Sequence, residues 1–156
     1  LQGSRPILCD LQALASRSFY TVPKRTVGGM DSGRVALLLA VIEKRAGNKL
    51  FDQDVYINVA GGLALSDPAA DLAACVAVAS SLMGFTLSPT LSVMGEVGLC
   101  GEVRPVAQAE RRVAECVRLG FTDILLPRQN LKRLRPIDGV RMTGVDTLMQ
   151  ALAVVG

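Results

Sequence analysis

Residues 65–84 read LSDPAADLAACVAVASSLMG. Asp67 has the short polar side chain of an N-cap, and Pro68 suits the first helical position, where its missing N–H is no loss. Leu72, Cys75, Val76, Ala79 and Leu82 then recur at helical spacing until Gly84. The stretch predicts a buried helix with both boundaries written into it. Just upstream, DVYINVA (54–60) alternates, with Val55, Ile57 and Val59 on one side, which is the period of a strand. A strand followed by a buried helix needs further layers on both of its faces, and the remaining chain has to supply them.

It supplies alternating and helical segments in turn. ILCDLQALAS (7–16) puts Ile7, Cys9, Leu11, Ala13 and Ala15 on one face, and YTVPKRTVG (20–28) reads as a second extended segment. Asp31 caps a helix over 32–46 that carries Lys44 and Arg45 in its last turn and stops at Gly47. LSVMGEVGLCGEVRPV (91–106) predicts strands bent or folded into a hairpin at Gly95, Gly98 and Gly101. AQAERRVAECVRLG (107–120) is an amphipathic helix, TDILLP (122–127) a buried strand, and RQNLKRLRP (128–136) a basic turn or short helix. GVRMTGV (139–145) reads as a short strand, and 146–155 as a last helix capped by Asp146. This order fits a mixed α/β sandwich better than a strictly alternating parallel sheet.

At 156 residues the chain is the size of one domain. Half of it is hydrophobic but only 4% is aromatic, so the core has to be built of Ala, Val, Leu and Ile. The longest strictly apolar run, 35–42, is far short of the ~20 residues that cross a bilayer, which predicts a soluble cytoplasmic protein. Four scattered cysteines with no C-x-x-C pair, and no histidine anywhere, leave no zinc site. They read as small buried hydrophobes in a reducing compartment. Without His there is no Ser-His or Cys-His arrangement, and only lysine-dependent activation of a nucleophile remains. Charge is uneven: eight bases against three acids in 1–49, six acids and no base in 50–103, nine bases against five acids in 104–156. Such asymmetry favours an anionic partner or head-to-tail assembly; a plain solvated surface is the alternative.

The helix entrance at 65–72, GEVGLCGEVRPV (95–106) and ERRVAECVRLGFTDILLP (110–127) together resemble the proteolytic domain of the Lon family. In that family the entrance carries a nucleophilic Ser after a Pro, and the second segment leads through Gly-Gly to a Lys that serves as general base. Pro68 matches the first proline and Ala69 falls on the nucleophile; Pro105 matches the second proline, Ala107 and Gln108 replace the glycines, and Glu110 falls on the lysine. The resemblance implies an α/β (α+β sandwich) domain over 7–156, Lon proteolytic-domain-like with a ribosomal protein S5 domain 2-like fold. LQGSRP (1–6) then reads as a linker from an ATPase domain outside this chain. The wording of 1–16, 32–47, 54–62 and 67–73 is closest to Lon-like domains of bacterial DNA repair and recombination ATPases. That likeness implies a parent acting as a hexameric DNA-dependent ATPase and helicase in branch migration, using ATP and magnesium, a zinc finger, and RecA recombinase as partner. No G-x-x-x-x-G-K-[ST] loop occurs in these residues, so ATP hydrolysis is not assigned to them.

A Ser-Lys hydrolase stripped of either member typically loses ~10⁴ to 10⁶ in rate, so Ala69 and Glu110 predict a proteolytically inactive domain. Ser66 is the nearest hydroxyl and the one residual candidate, though a turn or capping role suits it better. Lys24, Arg25, Arg128, Lys132, Arg133 and Arg135 are candidates for contact with DNA phosphates, single-stranded or branched; the bland reading is a solubilising surface. Only Phe19 and Tyr20 lie near a basic run, which argues against a base-stacking platform. Arg104, Arg111, Arg112 and Glu115 are candidates for the subunit contacts of a hexameric ring. A pure protein-interaction module without DNA contact is the remaining alternative.

Overall fold

The computed structural model describes residues 8–62 and 64–156. The expected linker 1–6 and Ile7 lie outside the described residues. The elements follow in the order β1 (Leu11–Arg17), β2 (Arg25–Gly28), α1 (Ser32–Ala46), β3 (Gln53–Val59), a 3₁₀ turn (Pro68–Ala70) running into α2 (Asp71–Met83), β4 (Leu91–Val93), β5 (Glu96–Val97), β6 (Val103–Arg104), α3 (Ala109–Arg118), β7 (Asp123–Pro127), α4 (Arg128–Leu131), β8 (Arg141–Val145) and α5 (Leu148–Val155).

The fold is mixed α/β, with parallel and antiparallel pairing side by side. One sheet runs β1-β3-β2, with β1 antiparallel and β2 parallel to β3; a second runs β4-β7-β8, all parallel; β5 and β6 form a two-stranded hairpin. In β3 every second residue obeys the pattern read from sequence: Val55, Ile57 and Val59 are buried while Tyr56 and Asn58 are exposed. β7 is buried on both faces because it lies between two apolar clusters, as expected of a central parallel strand. Leu125 packs with α1, α2 and α5, and Ile124 and Leu126 pack with α3. No aromatic side chain belongs to the buried core, in keeping with the composition.

Local chemistry sets the helix ends. Asp31 accepts from the Arg34 amide at 2.8 Å to open α1, and Asp67 accepts from the Ala69 amide at 3.0 Å to open the turn into α2. Gly47 and Gly84 close α1 and α2 in the left-handed conformation, where a side chain would be strained. Three expectations need correction. The second extended segment is a strand only over Arg25–Gly28, since Pro23 has no N–H to give a ladder. α5 is capped by Thr147, whose hydroxyl accepts from the Gln150 amide, while Asp146 turns away to Arg128 at 2.8 Å. Of the cysteines, Cys75 and Cys116 are buried and Cys9 is half-buried, but Cys100 is exposed, because it sits in the tight turn joining β5 to β6.

One buried ion pair joins these layers. Asp71, in the first turn of α2, is 1% exposed and receives Arg34 of α1 through two guanidinium nitrogens, Nε at 3.1 Å and Nη2 closer. The Val97 amide of β5 donates to the same carboxylate at 3.1 Å, and Arg34 Nη2 donates to the Val97 carbonyl at 3.1 Å. The two partners are unequally buried, Arg34 being 33% exposed. Arg34→Met strands a buried carboxylate and is expected to cost about 3–5 kcal/mol in urea unfolding. Asp71→Asn frees Arg34 to turn into water and keeps an acceptor for Val97, so its cost is expected to be smaller. Equal costs for the two substitutions would contradict this assignment.

Candidate functional site

The chain entering α2 is tied down on both sides. Gly95 N–H donates to Ala69 O at 2.9 Å and Leu72 N–H donates to Gly95 O at 3.0 Å, so the 3₁₀ turn and the start of α2 are stitched to the segment before β5. Ala69 is 7% exposed and lies on a pocket of about 110 Å³ together with Asp67, Ala70, Ser92, Arg112 and Cys116. No described hydroxyl or amine stands at the position matched to the nucleophile. The two thiols nearest the buried layers are poor substitutes: burial pushes Cys116 up, and Cys75 still further. The Cys116 Sγ lies 3.1 Å from Ser92 Oγ.

The second motif segment is fixed by Asn130 of α4, whose side chain accepts from the Val106 amide at 2.9 Å and donates to the Val106 carbonyl at 3.1 Å. From there the chain passes through Gln108, the one described non-glycine residue with positive φ (55°), into α3. A side chain in this region costs roughly 1–2 kcal/mol. Glycine would adopt this conformation at lower cost. The two residues matched to the dyad do not meet. Ala69 faces the pocket flanked by Arg112, Glu115 and Cys116 of α3, whereas Glu110 is exposed on the other flank, in a groove shared with Arg133 and Arg135.

Arg112, two positions beyond the matched lysine, reaches the entrance instead. Its Nη1 donates to Asp67 Oδ2 at 2.9 Å and its Nε to Ala107 O at 2.7 Å. The guanidinium is thus held within its own chain at 15% exposure. Of the other assembly candidates, Arg104 is exposed beside Glu96 (3.9 Å) and Glu102 (3.4 Å), Arg111 is exposed near Gln108 (3.3 Å), and Glu115 pairs with Arg118 (2.5 Å). Ser66 is exposed ahead of the 3₁₀ turn, and among the described residues its hydroxyl bonds to no lysine.

The basic candidates fall into two groups on different sheets. Arg128, Lys132, Arg133 and Arg135 are exposed on α4 and the turn after it; Arg128 pairs with Asp146. α4 lies close on β8, where a Cβ at Gly144 would come within 3.0 Å of the Arg128 Cα. Lys24 and Arg25 belong to the β1-β3-β2 sheet. Lys24 Nζ lies 4.2 Å from the centre of the Tyr20 ring, and Arg25 donates to the carbonyls of Gln53 and, at 2.9 Å, Leu50. Neither the Arg112–Asp67 contact nor the Arg34–Asp71 pair was singled out from sequence; each joins residues more than 30 positions apart.

The fold is mixed α/β, with Ala69 at the entrance to α2 beside Arg112 and with Glu110 on another flank of α3. The family model described as subunit ChlI of Mg-chelatase matches residues 32–130, and the chain belongs to that family. Proteins named DNA repair protein RadA are similar to it along nearly its whole length. The one from Halalkalibacterium halodurans is 43% identical over 154 residues, covering 99% of this chain and 34% of the relative. Those of Bacillus subtilis (43% over 152 residues) and Streptococcus pneumoniae (41% over 152 residues) each cover 97% of this chain and 33% and 36% of the relative. The chain thus spans about a third of the length of the curated relatives it matches.

Burial works to raise the Asp67 carboxyl, but partners that include the Ala69 amide and the Arg112 guanidinium outweigh it and hold the group down at about 2. A carboxylate depressed in the folded state adds stability that is fully present above its ordinary value near 3.8 and is lost as pH falls through the folded value. Asp67→Asn is therefore expected to flatten the acid limb of the stability curve between pH 4 and 2, followed by circular dichroism. An unchanged limb would show that the contact contributes nothing there.

Proposed function

We propose that this chain is the Lon-like domain of a DNA repair protein, proteolytically inactive, which serves as an assembly scaffold and as a DNA-contacting surface. The observation that carries this reading is the position of Glu110. At the place of the family's base it faces away from Ala69, into the groove of Arg133 and Arg135. An alanine supplies no nucleophile, and a carboxylate on the far flank of α3 supplies no base within reach. The same helix flank leads instead onto a run of exposed cations, and phosphates require clustered cations rather than a fixed geometry. The name carried by the relatives supports DNA repair as the setting.

The rest of such a protein would contribute what this chain does not: a nucleotide site using ATP and magnesium, a zinc site, helicase and branch-migration activity, and contact with RecA recombinase. Among the described residues no three His, Cys, Asp or Glu side chains are grouped to hold a metal ion, so no metal-dependent step is derived from them. Among the described residues there is no helix long and apolar enough to cross a membrane. For a six-membered ring, Arg104 and Arg111 are the better-placed contacts, since Arg112 is held inward by Asp67. Residual peptidase activity through Ser66 is disfavoured by its exposed place before the turn and the absence of a lysine partner among the described residues.

Two measurements test this function. An activated-serine probe is expected to leave the chain unlabelled, and also the Ala69→Ser/Glu110→Lys double variant, because the new lysine would sit on the wrong flank of α3; labelling of the unaltered chain would refute the inactive reading. In a salt series, DNA affinity is expected to fall steeply, and Lys132→Ala, Arg133→Ala and Arg135→Ala each to lower the log–log slope by about one. Absence of binding at low salt would leave only a protein-interaction role.

A further inference from the structure

We propose that the loop joining β1 to β2 is a wedge for DNA, setting Phe19 against a base that has lost its stacking neighbour at a branch, a gap or a strand end. This rests on the DNA-contact reading above and gives that contact a DNA class and a place. Within residues 18–24, Phe19 is 96% exposed, Val22 77% and Tyr20 55%. The three stand within four consecutive positions, so their Cα atoms lie no more than about 11 Å apart whatever path the loop takes. Phe85 and Phe121, by contrast, pack against the two apolar clusters. Water is a poor surrounding for three neighbouring apolar side chains, and such a cluster marks a contact site.

The loop is tied at both ends to β3, the central strand of its sheet, and to the residue just ahead of it. Ser18 N–H donates to Asp52 O at 2.7 Å, Lys24 N–H to Asp54 Oδ1 at 2.7 Å, and Val55 N–H to Lys24 O at 2.9 Å. Pro23, with its fixed φ, stiffens the return into β2. Charge then selects the occupant. No acid occurs between Asp10 and Asp31, while Arg17, Lys24 and Arg25 flank the loop and are exposed. Of the acids that the loop meets on the neighbouring strand, Asp54 is buried and Asp52 is exposed. Lys24 Nζ stands 4.2 Å from the centre of the Tyr20 ring and occupies one of its faces, which leaves Phe19 as the open ring. Cations around an open ring fit a polyanion that itself carries flat apolar faces, which is nucleic acid.

Two rings in one loop are too few for a platform that stacks successive bases, and enough for a wedge at one step. Inserting a ring into a continuous duplex first separates two stacked base pairs, a cost that the new contact has to offset. At a branch, a gap or a strand end one base face is already bare, and the ring stacks on it without that cost. A single projecting ring on a braced loop therefore favours interrupted DNA over continuous duplex. A second copy of this chain meeting the same loop would oppose Arg17, Lys24 and Arg25 to their own equivalents, with like-charge repulsion against it.

The test compares the binding of a labelled continuous duplex with that of the same duplex carrying a one-nucleotide gap. The gapped duplex is expected to bind about five-fold tighter or more. Phe19→Ala, at a position 96% exposed, is expected to erase that difference while the continuous-duplex affinity, the salt slope and the urea midpoint stay unchanged. 2-Aminopurine placed beside the gap is expected to change its emission on binding the unaltered chain and to keep it with Phe19→Ala. Equal affinity for the two duplexes, or a preference that survives in Phe19→Ala, would overturn the wedge and leave phosphate contact standing. No binding of either duplex at low salt would remove both readings. Binding to phosphatidylserine vesicles or self-association, lost in Phe19→Ala and accompanied by equal affinity for the two duplexes, would overturn the wedge in favour of a lipid surface or a second copy.

Discussion

The carboxylate of Asp71 has no access to water, and the structure around α2 is arranged to satisfy it. Burying an unpaired carboxylate is costly enough that a chain which places one at the start of its central helix must deliver a cation and an amide to it. Arg34 from α1 and Val97 from β5 do so. Because the three groups come from three elements, the pair fixes α1 against α2 and brings the β5-β6 hairpin to the helix entrance. The position of Ala69, its hydrogen bond to Gly95 and the approach of α3 all follow from that knot.

Around it the entrance to α2 is held by local contacts. Asp67 still caps the turn and Pro68 still opens it, and Gln108 holds a backbone conformation that glycine would adopt at lower cost. What fills the site is an internal ion pair. Arg112 crosses to Asp67 and forms a structural brace between α3 and the entrance to α2. An inward guanidinium beside a buried alanine can bind or brace, and it cannot attack a carbonyl.

The exposed cations lie away from the entrance to α2. The cations after β7 border the flank of α3 that carries Glu110, and Lys24 and Arg25 lie at the edge of the β1-β3-β2 sheet. Both surfaces are built on elements rooted in buried strands, β7 and β3, so their side chains are presented by a rigid frame.

Much of this was legible in the sequence because it depends on near neighbours. The caps at Asp31 and Asp67, the glycine stops at Gly47 and Gly84, the alternation in β3 and the hairpin at 95–106 are set by a few adjacent residues. Thr147 took the cap expected of Asp146 because Arg128, 18 residues away, claimed that carboxylate. Arg112 offered a faint signal, standing two positions from the matched lysine, but its direction was decided by where Asp67 lay, 45 residues upstream. The sequence by itself determined the elements and the apolar core, since these follow from short-range periodicity and residue identity. Tertiary structure alone decided which charges neutralise one another, since those contacts depend on distances that the packing of remote segments creates.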